Sequence, residues 1–98
     1  MVDDRKSRAI LIYVRQGSSP FPSADPDGVV RAFPEDGAEL IAYAKDTLRE
    51  MRLVPVDWST ETYKGAIERL RNEMARRHPE LNEEAVDAIA WVFAFENR

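Results

Sequence analysis

Ala88-Ile89-Ala90-Trp91-Val92-Phe93-Ala94-Phe95 is a run of eight apolar residues, and it decides how the rest of the chain is read. A helix that is apolar all round belongs inside a fold, whereas a surface helix shows a polar side at 3.6-residue spacing. Asn82 ahead of the run is a suitable N-cap. Glu83 and Glu84 set negative charge at the positive end of a helix dipole. Residues 82–96 are therefore expected to form a helix enclosed by others. Val86, Ile89 and Phe93 lie on one of its faces, and Ala88, Trp91 and Phe95 on the other.

Upstream of this helix, Tyr63, Ile67, Leu70 and Met74 recur at helical spacing and mark an inner stripe, while Lys64, Glu68, Arg71 and Asn72 form a solvated face. Asp57 or Ser59 is the expected cap. Arg76, Arg77 and His78 fill the last turn, and Pro79 closes it. Gly65 costs about 1 kcal/mol relative to alanine in mid-helix, which is easier to accommodate where a second backbone crosses closely. Further back, Asp36 and Glu39 make an aspartate variant of the capping box. Behind them Leu40, Ile41, Ala44, Leu48 and Met51 keep one apolar face up to Val54-Pro55-Val56. Asp25-Pro26 opens a short helix through Val29, Val30 and Phe33, stopped by Pro34.

Residues 17–25 are a loop by their Gly, Ser and Pro content. A first helix over residues 4–16 precedes them, with Gly17 past its end as the residue free to take φ > 0. Its second half, residues 9–14, is continuously apolar and also fits a buried strand. The reading is an all-α, single-domain bundle over residues 1–98, with four longer helices, one short helix and the C-terminal helix at the centre. The alternative is α+β, with residues 10–14 and 29–33 paired as a two-stranded ribbon, which helices would have to cover.

Composition narrows the function. The chain has no cysteine, which excludes disulfides, iron–sulfur clusters and thiolate zinc sites. No apolar run approaches the ~20 residues of a membrane span. The acidic start and the lack of a signal-peptide pattern point to the cytoplasm. Arginine outnumbers lysine, as in proteins of GC-rich bacterial genomes. The net charge of −4 is unevenly spread: residues 1–24 and 68–78 are basic on balance, and residues 25–50 and 79–98 acidic. Such a chain lacks the concentrated basic face that broad contact with phosphates demands, and the sign favours a basic protein partner.

Each candidate for chemistry has an ordinary structural reading beside it. His78 is the single histidine; it has no suitably spaced co-ligands and sits where a helix-end residue is solvated or caps. Glu80, Glu83, Glu84 and Asp87 are the densest carboxylate group, read either as dipole compensation or as a site for a basic partner. Asp25-Pro26-Asp27-Gly28 has too few ligands for an EF-hand loop, and no phosphate-cradling glycine motif occurs. Lys64, Arg69, Arg76 and Arg77 are diluted by Glu61, Glu68 and Glu73. A helix-turn-helix reading of the last two helices fails, because its recognition helix opens with two glutamates. Phe21 and Trp58 lie outside the helical stripes, as loop anchors or as contacts for a partner.

No cofactor, metal or catalytic group is expected. The functional expectation is a small cytoplasmic bacterial protein-binding module acting stoichiometrically, of the inhibitor, immunity or adaptor kind, with Phe21, Trp58, Glu80, Glu83, Glu84 and Asp87 as its contact residues. The alternative is a nucleic-acid-associated regulator using the arginines of the fourth helix.

The central-helix reading has a direct test. Burying three aromatics at roughly 150–250 Å² each is worth on the order of 10 kcal/mol gross, comparable with a whole domain's net stability of about 5–15 kcal/mol. A chain ending at Ala88 is expected to lose cooperative thermal unfolding; one that still melts near the full-length temperature refutes the central helix. Trp91→Ala is expected to cost about 3–5 kcal/mol if the indole is fully core.

Overall fold

The computed structural model describes residues 1–98 and contains five helices: α1 (Asp4–Val14), α2 (Pro26–Ala32), α3 (Gly37–Arg52), α4 (Tyr63–Arg77) and α5 (Glu83–Glu96). The fold is all-α, 64% helix, with no strand. The ribbon alternative is set aside, because residues 10–14 lie within α1 and residues 29–32 within α2.

Four of the five helices start on a side-chain cap of one geometry. The carboxylates of Asp3 and Asp25, the Thr62 hydroxyl and the Asn82 side-chain oxygen accept from the backbone N–H groups of Lys6, Gly28, Gly65 and Ala85, at 2.9–3.1 Å. Each bond satisfies a donor that the first helical turn leaves free. Thr62 caps α4 in place of Asp57 or Ser59, because the Asp57 carboxylate is taken by the Ser59 N–H and hydroxyl within a turn of its own. Asp36 precedes α3 as expected but makes no capping bond; its carboxylate pairs with Arg5 of α1 instead. At Gly65 no second backbone crosses: a Cβ there would meet only the capping Thr62 hydroxyl, at 2.9 Å.

Helix α1 ends earlier than its sequence suggests, and its carbonyls show how. Arg15, not Gly17, is the first residue to turn left-handed, at φ 65°, with Gly17 following at φ 85°. The N–H of Arg15 bonds to Ile12 O and that of Gln16 to Leu11 O, the two bonds of a Schellman motif. Returning along the helix end, the loop then gives the N–H of Ser23 to Val14 O and that of Asp25 to Tyr13 O. All four carbonyls that a helix C-terminus leaves open are thereby paired.

Helix α5 packs between α4 and α1 and touches α3; α1 in turn lies between α5 and α3, with α2 against both α1 and α3. The centre is therefore shared by α5 and α1. Two backbone ties fix their relation: Asp3 N–H donates to Glu80 O, and Asn82 N–H donates to the hydroxyl of the fully buried Ser7. Within α5, Ala85, Val86, Ala88, Ile89, Ala90, Val92 and Phe93 are buried, and the alanines let neighbouring helices approach closely. Trp91 and Phe95 are only partly covered. The second apolar face thus has a wet edge, and Trp91→Ala costs less than a core truncation.

Helix α4 meets little besides α5, and its buried stripe is correspondingly narrow: Ala66, Leu70 and Met74. Tyr63 is swung outward, 41% exposed, and Ile67 is half-buried. The result is a flattened molecule, 45 × 29 × 19 Å, with α4 along one edge.

The strained end of α1 predicts a stabilising mutation. A non-glycine residue in the left-handed region costs about 1–2 kcal/mol, partly offset for glycine by its freer unfolded chain. Arg15→Gly is expected to raise stability by about 0.5–1 kcal/mol in urea unfolding, and Arg15→Ala to leave it nearly unchanged. A loss on going to glycine contradicts the motif.

Candidate functional site

The two loop aromatics are anchored and exposed at once. Phe21, 52% exposed, stacks on Phe95 at 6.2 Å between ring centroids, and the Arg98 guanidinium lies 4.2 Å from the same Phe95 ring. Trp58, 46% exposed, stacks on Phe93 at 6.5 Å and on Tyr63 at 6.4 Å. The Tyr63 hydroxyl donates to Ala94 O. Residues two apart on a helix point about 200° from one another, so Phe21 and Trp58 flank the end of α5 from opposite sides. Trp58 and Tyr63 form one contiguous patch. Sequence periodicity missed Tyr63 as a surface group, because its spacing places it on the inner stripe of α4.

The carboxylates divide into two sets. Glu83 and Asp87 both face Arg71 of α4, Glu83 at 3.3 Å with its side chain 83% exposed, while Glu84 is exposed and makes no ion pair. Glu80 belongs elsewhere: it is drawn into the fold beside His78 and Tyr43. The arginines of α4 also have partners. Arg69 bonds to Glu61 and Pro55 O, Arg76 to Glu73, and Arg77 to Glu73 and Glu50. Lys64 makes no ion pair.

His78 is at the C-cap of α4 as expected, but its ring is not solvated. It is 15% exposed, with Nε2 2.9 Å from a Glu50 carboxylate oxygen and Nδ1 2.9 Å from one of Glu80. A neutral imidazole has a single N–H, so only the imidazolium donates to both. The Tyr43 hydroxyl donates to the same Glu80 oxygen at 2.5 Å. Burial opposes ionisation of Glu80, but the bonds from Tyr43, its own backbone N–H and His78 overcome it and hold its carboxyl down at about 2. Burial, then the Glu80 hydrogen bond and charge, push the Tyr43 hydroxyl up. Glu50 arrives from α3, 28 residues away in sequence, which is why spacing alone could not assemble the group.

A cleft of about 370 Å³ opens between the ends of α1, α3 and α5 and the returning loop. Val14, Pro22, Leu48, Val92 and Phe95 supply its apolar walls; Lys45, Arg49, Arg52 and Glu96 are polar members. Arg52 and Glu96 are joined by three hydrogen bonds of 2.7–3.2 Å. The Glu96 hydrogen bonds are the main cause of the raised Arg52 pKa. A second depression, of about 340 Å³ and reaching Trp58, shares the Arg52–Glu96 pair as a wall. No helix is long and apolar enough to cross a membrane. No family model, curated protein or solved structure matches the chain.

The Tyr43–Glu80–His78 group sets an acid limb of stability. The folded-state value of Glu80 lies below its ordinary 4.5. Its stabilisation is therefore complete above about pH 4.5 and is lost as the pH falls through about 2. Tyr43→Phe deletes a hydrogen bond to a charged acceptor, worth about 1.5–3 kcal/mol near neutral pH. The gap between wild-type and Tyr43→Phe melting curves is expected to narrow steadily from pH 5 to pH 2; parallel curves over that window refute the assignment.

Proposed function

We propose that this chain is a small protein-binding module that works by occupying its partner, in the manner of an inhibitor, an immunity-type protein or an adaptor, and that the partner is basic. The observation that carries the reading is the Trp58–Tyr63 pair, two stacked aromatics held by Phe93 and the Ala94 carbonyl with nearly half of each ring system in solvent. Aromatic groups fixed in advance lose little freedom on association and are favoured at binding hot spots. Phe21 offers a second such group across α5.

Charge supports the choice of partner. Glu83 and Glu84 project at the start of α5, and only Glu83 has a counter-ion, at 3.3 Å. An acidic edge of this kind steers a basic protein toward the surface. The nucleic-acid reading has less support, because Arg69, Arg76 and Arg77 are each engaged with internal carboxylates. The His78 ring, with a carboxylate on each nitrogen, is poorly placed to act as a general base.

The proposal separates rate from residence. Against a partner isolated from the host, Glu83→Lys with Glu84→Lys is expected to slow association at least about threefold and to flatten its salt dependence. Asp87 is left in place to keep Arg71 paired, so the loss of stability should be confined to the reversed charge at the start of α5, about 1–2 kcal/mol. Trp58→Ala is expected to speed dissociation about tenfold or more. Unaltered rates in both variants, or co-purification of nucleic acid in place of a protein, overturn the reading.

A further inference from the structure

We propose that the cleft between α1, α3, α5 and the returning loop is a binding site for a small amphipathic carboxylate, separate from the protein-binding surface. Its most informative member is Tyr13. The residue is 8% exposed overall and lines the cleft, and its hydroxyl, which solvent reaches, makes no hydrogen bond within the protein. A hydroxyl that opens on a cleft wall and is not engaged inside the fold is free to donate to a ligand.

The cations beside Tyr13 select the sign of the ligand. Lys45, Arg49 and Arg52 occur at i, i+4 and i+7 of α3 and so share a face. Lys45 has no ion pair. Arg49 meets Asp46 at 3.2 Å with both side chains 71% exposed, a loose contact that an incoming anion can replace. Arg52 is held by Glu96, which cancels that pair's charge and leaves Lys45 and Arg49 as the attracting groups. The Phe95 ring and Val92 line the same cleft and suit an apolar body.

Size sets the rest of the description. A cleft of about 370 Å³ lies at the small end of the roughly 300–1,000 Å³ usual for small-molecule sites. A short arylalkanoate meets all three requirements: its ring lies against Phe95, its carboxylate meets Lys45 and Arg49, and the Tyr13 hydroxyl donates to it.

The test is an amide chemical-shift titration of the full chain with 4-phenylbutyrate and, separately, with its neutral amide. The carboxylate should saturate below about 10 mM, shifting Tyr13, Lys45, Arg49 and Phe95, and the amide should bind at least about tenfold more weakly. Tyr13→Phe removes an unpaired group and Lys45→Gln an unpaired charge, so both should keep the wild-type melting temperature. Each should weaken carboxylate binding about threefold or more. Equal binding of acid and amide overturns the proposal, as do shifts confined to the Trp58 depression, an absence of saturation, or wild-type affinity in both variants.

Discussion

Helix α5 has too much apolar surface for any single neighbour to cover, and the placement of the other helices answers that constraint. Phe93, Val86 and Ala90 turn one way and Ala88 and Val92 another, so α4 and α1 have to close on it from two sides, with α3 completing the cover. Because α4 is consumed in covering α5, it can spare only the stripe Ala66–Leu70–Met74 and remains an edge helix. Helix α1 is subject to the opposite demand. It touches α5, α3 and α2 together, which explains why residues 9 and 10 are fully buried and why a run apolar enough to resemble a strand is a helix instead.

The same constraint makes the far end of α1 a point of construction. Four carbonyls had to be paired there, and the chain paired them by turning left-handed at Arg15 and doubling back so that Ser23 and Asp25 donate to Val14 and Tyr13. That return lays Phe21 on Phe95 and brings Pro22 to the rim of the cleft. A backbone accounting problem at one helix terminus thus produces both an exposed aromatic and a concave surface. It also places Asp25 to cap α2 without further chain.

What could be read in advance follows from the range of the forces involved. Caps and stops act within four residues, and Asp25, Asn82, Pro34 and Pro79 were legible for that reason. Amphipathic spacing reported Leu40, Ala44, Leu48 and Met51 correctly, because α3 has a well-defined inner face. It misplaced Tyr63, since periodicity gives the direction of a side chain but not whether a neighbour extends far enough to cover it. Asp36 and Asp57 satisfied a capping pattern and yet bind Arg5 and Ser59, competitors that sequence spacing does not weigh. Ser7, Glu50 and Tyr43 were silent because their partners lie 28 to 75 residues away, so the polar ties that lock the 78–82 turn onto α1 and α3 emerge only in three dimensions.

Polar groups that folding already employs explain little about function, and in this protein they are numerous. Arg71, Arg76 and Arg77, the pair Arg52–Glu96 and the group around His78 are all satisfied internally, and the exposed arginine pairs among them add only fractions of a kcal/mol each. Their greater effect is subtractive: by pairing, they withdraw most of the arginine charge from the surface. The groups left over are few and occupy separate places. Trp58 and Tyr63 remain half-wet beside α5, Glu84 stands without a counter-ion, and Lys45 and the Tyr13 hydroxyl line the cleft without a partner in the protein. An aromatic pair with acidic residues suits a protein surface, whereas a cation with an unpaired hydroxyl and an apolar wall suits a small anion. The two surfaces are separated by the Arg52–Glu96 wall, which borders the cleft on one side and the Trp58 depression on the other. A ligand that displaced Glu96 from Arg52 would therefore alter both surfaces at once.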